Sequence, residues 1–132
     1  MKYLLDTDVL IWILRGNEKV VKRVKKLVKN KRQAVSVISV AEIYKNLFPS
    51  EIEKTSELFE ASLVLEVDYK VAKLAGLYWR DYHKKYRGLS LADCLIASSA
   101  KVNNLKVMSG NVKHFPMLKG KVVNPLKNIL GK

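Results

Sequence analysis

Asp6 and Asp8 bracket Thr7 directly behind the apolar run KYLL, and a second apolar run, VLIWIL, starts at once. Acids are among the residues least often buried without a partner, so two carboxylates at the end of a buried strand demand one. Two more acids sit in similar company. Glu42 lies in "SVAEIYKNLF", and Asp93 lies in "LSLADCLIASSA", where every other residue is apolar or small. Ser109 and Asn111, in "MSGN", add a hydroxyl and an amide behind a fourth apolar stretch. If three carboxylates met at about 5 Å, repulsion would be about 3 kcal/mol per pair at an effective dielectric near 20. Protons or a divalent cation must then relieve it. A set of carboxylate, hydroxyl, amide and water oxygens suits Mg²⁺ or Mn²⁺ rather than Zn²⁺. Zinc-type Cys/His spacing is missing, and His83 and His114 each stand alone.

A plainer role competes at each acid. Ser39-Val-Ala-Glu42 and Ser90-Leu-Ala-Asp93 both fit a capping box, and Asp6 or Asp8 could cap the following helix. Capping and ligation are compatible, because a first-turn carboxylate can still point off the sheet edge.

The elements that would position these groups alternate. Apolar and β-branched stretches predict strands at 2–6, 33–38, 63–67, 105–109 and 121–124. Helical spacing predicts helices at 8–15, 17–30, 39–48, 50–61, 68–86 and 90–104, with Pro49 and Gly88 as stops. Strands joined by helical crossovers imply an α/β fold, a three-layer α/β/α sandwich with a short, mostly parallel central sheet. Sites in such sheets form at the carboxyl ends of strands. Asp6, Ser109 and Asn111 fall at strand exits, and Glu42 and Asp93 are expected in the first turns of helices.

With 132 residues, 48% of them apolar, the chain reads as one domain, 1–132, able to bury a core. No apolar run reaches the roughly 18–20 residues of a membrane span, and acids interrupt what would be a signal peptide's apolar region. Cys94 is the single cysteine, which excludes an intrachain disulfide and makes a reducing cytoplasm the expected location. A net charge of +13 attracts polyanions such as RNA, although a solvated lysine surface is the bland alternative. Candidate phosphate contacts are Arg15, Lys113, the basic face of helix 17–30 (Lys22, Arg23, Lys25, Lys26, Lys29), and Arg80, Lys84, Lys85 and Arg87 in "WRDYHKKYRG". Tyr78, Tyr82 and Tyr86 interleave with those last cations, but spacing by four favours packing over base stacking.

The segments "LLDTDVL", "VSVISVAEIY", "LSLADCLIASSA" and "MSGNVKHFPML" occur in this order. Together they resemble the PIN-domain nucleases of the VapC-type toxin group, from residue 3 to about 118. The resemblance implies a PIN-like fold and a Mg²⁺- or Mn²⁺-dependent endoribonuclease in which Asp6, Glu42 and Asp93 are the catalytic, metal-holding acids. It implies Ser109 as the family's hydroxyl position and Asp8 as a supporting residue. Asn111 falls where many members carry Asp, a departure that removes one negative charge. Partners implied in the same way are RNA, a second copy in a homodimer, and an antitoxin whose apolar segment could rest on Ile11, Trp12, Leu47 or Phe48. Thr7 would steady the loop between the acids. Two alternatives stay open: an RNA-processing nuclease without an antitoxin, and a catalytically silent RNA-binding module.

Overall fold

The computed structural model describes residues 2–129. Five short strands form one sheet: β1 (Tyr3–Leu5), β2 (Ala34–Ser36), β3 (Leu63–Leu65), β4 (Lys106–Met108) and β5 (Val122–Val123). Their order is β3-β2-β1-β4-β5, and every pairing is parallel. Six α-helices supply the crossovers: α1 (Thr7–Leu14), α2 (Glu18–Val28), α3 (Val37–Tyr44), α4 (Ile52–Glu60), α5 (Tyr69–Tyr82) and α6 (Leu91–Val102).

Side chains alternate across a strand, so the sheet splits the core in two. Leu4, Ala34 and Val107 point to one face, against Ala75 of α5 and Cys94, Ile96, Ala97 and Ala100 of α6. Tyr3, Leu5, Val35 and Met108 point to the other, against Val9 and Leu10 of α1, Val20 and Val24 of α2, Ile43 of α3 and Phe59 of α4. The result is the expected three-layer α/β/α sandwich. Tyr78, Tyr82 and Tyr86 pack against the first of these clusters, as their spacing predicts.

Boundaries differ from the expected ones where caps and proline intervene. Helix α3 begins earlier than predicted, because Ser36 caps it by accepting from the Ile38 amide. It ends at Tyr44 rather than Phe48. The chain must be extended before proline, and Phe48 sits at φ −80°, ψ 148° ahead of Pro49. Helix α5 ends at Tyr82, short of the predicted 86. Two 3-10 turns, Val112–His114 and Pro116–Leu118, follow β4 and have no counterpart in the sequence reading. Among the described residues no helix is long and apolar enough to cross a membrane.

Candidate active site

The carboxyl end of β1 is the hub. Asp6, Thr7 and Asp8 are consecutive; the two acids engage the exit of β4 and Thr7 engages α3. Asp6 is buried and caps α1, taking the Thr7 amide on Oδ1 at 2.8 Å. Its Oδ2 accepts the Ser109 hydroxyl at 2.7 Å, and Ser109 in turn accepts the Asn111 amide at 2.9 Å. Thr7 donates to Glu42 Oε1 at 2.8 Å, with Ser39 Oγ 2.9 Å from the same hydroxyl. Asp8 takes the Gly110 amide on Oδ2 at 2.9 Å and has the Asn111 side-chain amide at 3.4 Å. Strand β1 thus gathers the exit of β4 and the side of α3 around three residues.

Asp93 reaches the same edge from α6. The Ser90–Asp93 capping box forms as expected: Asp93 N bonds Ser90 Oγ at 3.0 Å, and Ser90 N bonds Asp93 Oδ2 at 3.1 Å. The same Oδ2 lies 3.4 Å from His114 Nδ1. Capping and a place at this edge therefore coexist in one carboxylate.

Two expectations need correction. Glu42 is not in the first turn of its helix and forms no box with Ser39. With Ser36 as the cap, Glu42 falls beyond the middle of α3, and its side chain is held by Thr7 instead. His114 does not stand alone in space, because the 3-10 turn after β4 swings it against Asp93. Sequence reasoning also missed Gly110. A Cβ there would lie 2.7 Å from Asp8 Oδ2 and 2.7 Å from Leu126 Cδ1, so only glycine lets the loop approach that carboxylate. The "SGN" triplet was the available signal.

The electrostatics follow from burial. Desolvation pushes the Asp6 carboxyl up to about 7 from its ordinary 3.8; the Ser109 bond opposes this, and the charges of Asp8 and Asp93 add to it. Burial raises Asp8 as well, against the pull of the Gly110 and Val9 amides and the His114 charge. Among the described residues the ion pairs are Arg80–Asp81 and His114–Asp93, so no lysine or arginine in them neutralises Asp6, Asp8, Glu42 or Asp93. No group of three or more His, Cys, Asp and Glu side chains among these residues is arranged to hold an ion, and each acid has its own partner: Thr7 on Glu42, Ser109 on Asp6 and His114 on Asp93. The neighbouring Cys94 thiol is buried and pushed up to about 11, which removes it as a nucleophile.

The basic candidates divide. Arg15 packs over the Trp12 ring at 5.2 Å and, with Glu42, lines a cavity of about 550 Å³ between α1, α3 and α4. Ile11, Leu47 and Phe48 line it too, and Phe48 is 70% exposed; Trp12 instead packs against the core. On α2, Arg23 is committed to the carbonyls of Pro125 and Lys127, while Lys22, Lys25, Lys26 and Lys29 face solvent. Arg80, Lys84, Lys85, Arg87 and Lys113 are exposed. Lys113 precedes His114 directly. Arg87 precedes Gly88, where a Cβ would lie 3.9 Å from His114 Nε2. These last two cations border the acidic edge.

The chain is similar to proteins of known kind over most of its length. Ribonuclease VapC10 of Mycobacterium tuberculosis is 35% identical over 117 residues, 86% of each chain. Ribonuclease VapC1 of Haemophilus influenzae is 30% identical over 121 residues, 87% of this chain and 90% of that one. Among solved structures, VapBC-1 from nontypeable Haemophilus influenzae superposes with a TM-score of 0.79 at 25% identity, covering 96% of this chain and all of that one. DNA-bound VapBC from Salmonella typhimurium gives 0.78 at 21% identity over 94% and 97% of the two chains, a likeness of fold. The model of the PIN domain family matches residues 3–116, and the chain belongs to that family.

Proposed function

We propose that this chain is a divalent-metal-dependent endoribonuclease that hydrolyses RNA phosphodiester bonds, and that it is the toxin of a toxin–antitoxin pair. The reading draws on relatives that are named ribonucleases and on neighbours solved as VapBC complexes. The observation that carries it is Asp6: a carboxyl raised chiefly by burial and further by the charges of Asp8 and Asp93, with no lysine or arginine among the described residues paired to it, in a chain of net charge +13. A hard divalent cation relieves that arrangement, and every acid, hydroxyl and amide around it offers oxygen.

Asp6 and Asp93 would hold Mg²⁺ or Mn²⁺, with Glu42 joining directly or through water. When bound, the ion lowers the pKa of its water and draws charge from a non-bridging phosphate oxygen. The chain's own residues do the rest. Ser109 fixes the Asp6 carboxylate from one side, and Thr7 fixes Glu42 by Oε1, which leaves Oε2 for the proton of an attacking water. Asn111 and the Gly110 amide keep Asp8 turned toward the β4 loop, and His114 holds Asp93 Oδ2. Arg15, Arg87 and Lys113 offset the repulsion between an acidic site and an incoming phosphodiester.

The antitoxin would lay an apolar segment into the cavity lined by Ile11, Leu14, Leu47 and Phe48, beside Glu42. The active form would be a homodimer. Calorimetric Mn²⁺ titration of the wild type and Asp6→Asn, beside cleavage of a mixed RNA pool, tests the reading. The wild type should bind and cut, and Asp6→Asn should do neither. RNA that is bound but left whole by the wild type would instead identify a silent RNA-binding module.

A further inference from the structure

The carboxyl end of helix α5 carries a further aromatic pair, distinct from the half-buried Tyr78, Tyr82 and Tyr86. Trp79 and His83 stack with centroids 3.7 Å apart and planes 4° from parallel. His83 Nδ1 lies 2.7 Å from the Trp79 carbonyl, which locks the imidazole flat on the indole. Trp79 is nevertheless 40% exposed. Neither ring belongs to the two core clusters, so packing does not account for the pair.

Its surroundings select a partner. Arg80, Lys84, Lys85 and Arg87 are exposed within a few residues, and among the described residues only Arg80 meets a carboxylate, that of Asp81. The chain then passes Gly88, which abuts His114, and reaches Asp93. An exposed aromatic face followed within a few residues by unpaired cations, on a chain that then runs to Asp93, matches single-stranded nucleic acid, with bases to stack and phosphates to pair.

We propose that the Trp79–His83 ring pair is a base-stacking platform for single-stranded RNA, with Lys84, Lys85 and Arg87 on the phosphates of the strand as it runs toward Asp93. This deepens the ribonuclease reading and rests on RNA being the substrate. The stack gives a base a rigid apolar surface without reading its edges, so it sets where the strand enters rather than which sequence is cut.

The test is binding of a fluorescein-labelled oligouridylate and of inorganic polyphosphate, both in EDTA so that nothing is cut. Trp79→Leu keeps bulk and removes the aromatic face. It should bind the oligouridylate about tenfold more weakly and polyphosphate unchanged, while Trp79→Phe stays near wild type. Lys84→Gln with Lys85→Gln should weaken both ligands. In a Trp12→Phe background, oligouridylate should quench Trp79 fluorescence and polyphosphate should not. The proposal is overturned if Trp79→Leu leaves RNA affinity intact or weakens both ligands alike. It is equally overturned if the variant lowers the sedimenting mass without RNA, because a second copy would then cover the rings. Cleavage with Trp79-independent binding removes the platform and spares the nuclease; Trp79-dependent binding without cleavage does the reverse.

Discussion

The Ser109 hydroxyl donates to Asp6 Oδ2 across 2.7 Å, joining the carboxyl ends of β4 and β1 through two side chains that are both buried. It is the strongest influence holding the Asp6 carboxyl down against burial. Ser109→Ala should therefore raise Asp6 further and weaken Mn²⁺ binding. It also strips the Asn111 amide of its acceptor, so stability should fall by about 1–2 kcal/mol. Calorimetric Mn²⁺ titration and urea unfolding read the two effects separately. Unchanged affinity would show that the hydroxyl does not shape the site.

The Asp6 carboxyl also fixes a pH dependence with a definite sign. Folded, it titrates near 7; unfolded, near its ordinary 3.8. Between those values the folded chain holds a proton that the unfolded chain has lost, so metal-free stability falls as pH rises from about 4 to about 7. The separation corresponds to on the order of 4 kcal/mol. The difference in urea midpoint between wild type and Asp6→Asn, measured in EDTA at pH 4.5, 6 and 7.5, isolates this one group. Asp6→Asn should gain on the wild type as pH rises, and Mn²⁺ should narrow the gap by stabilising only the wild type. A difference that stays flat with pH would mean that Asp6 titrates normally.

At the start of α6 the two roles of Asp93 can be separated. Asp93→Asn removes charge but keeps an oxygen for the Ser90 amide, so it should abolish cleavage and shift stability by less than about 1 kcal/mol. Ser90→Ala removes the cap and spares the carboxylate. It should cost about 1 kcal/mol and leave much of the cleavage rate. The opposite pattern in melting and cleavage assays would make Asp93 a cap and nothing more.

Gly110→Ala should harm function more than fold. The new methyl group meets Asp8 Oδ2 and Leu126 Cδ1, and the carboxylate is pinned there by the Gly110 amide itself. Relief must come from displacing Asp8 or shifting Leu126, at about 1–3 kcal/mol. Cleavage should drop at least tenfold while the far-ultraviolet circular dichroism stays native. Wild-type cleavage would mean that Asp8 has no part in arranging the site.

Much of this could be read from the sequence because it depended on local rules. Strand and helix periods put Asp6 at a strand exit and Asp93 in a first turn, and the Ser90 box formed as its spacing requires. Glu42 was misplaced because two serines compete to cap α3, and only packing decides for Ser36 over Ser39, which is buried beside Thr7. His114 was invisible as a partner because its approach to Asp93 depends on a 3-10 turn with no periodic signal. The tyrosines followed the spacing-by-four rule to a place against the core. The same rule concealed Trp79 and His83, which share that spacing one position along the helix and yet stay outside the core.

Three consecutive residues on β1's edge each grip a different neighbour, and this limits how the segment can diverge. A single inserted or deleted residue between Leu5 and Val9 would rotate the serine, the glutamate and the glycine loop out of phase together. No compensating change at one partner could restore all three. The count of residues across this turn is consequently as constrained as their chemistry, and variation here should proceed by exchange of side chains at fixed length.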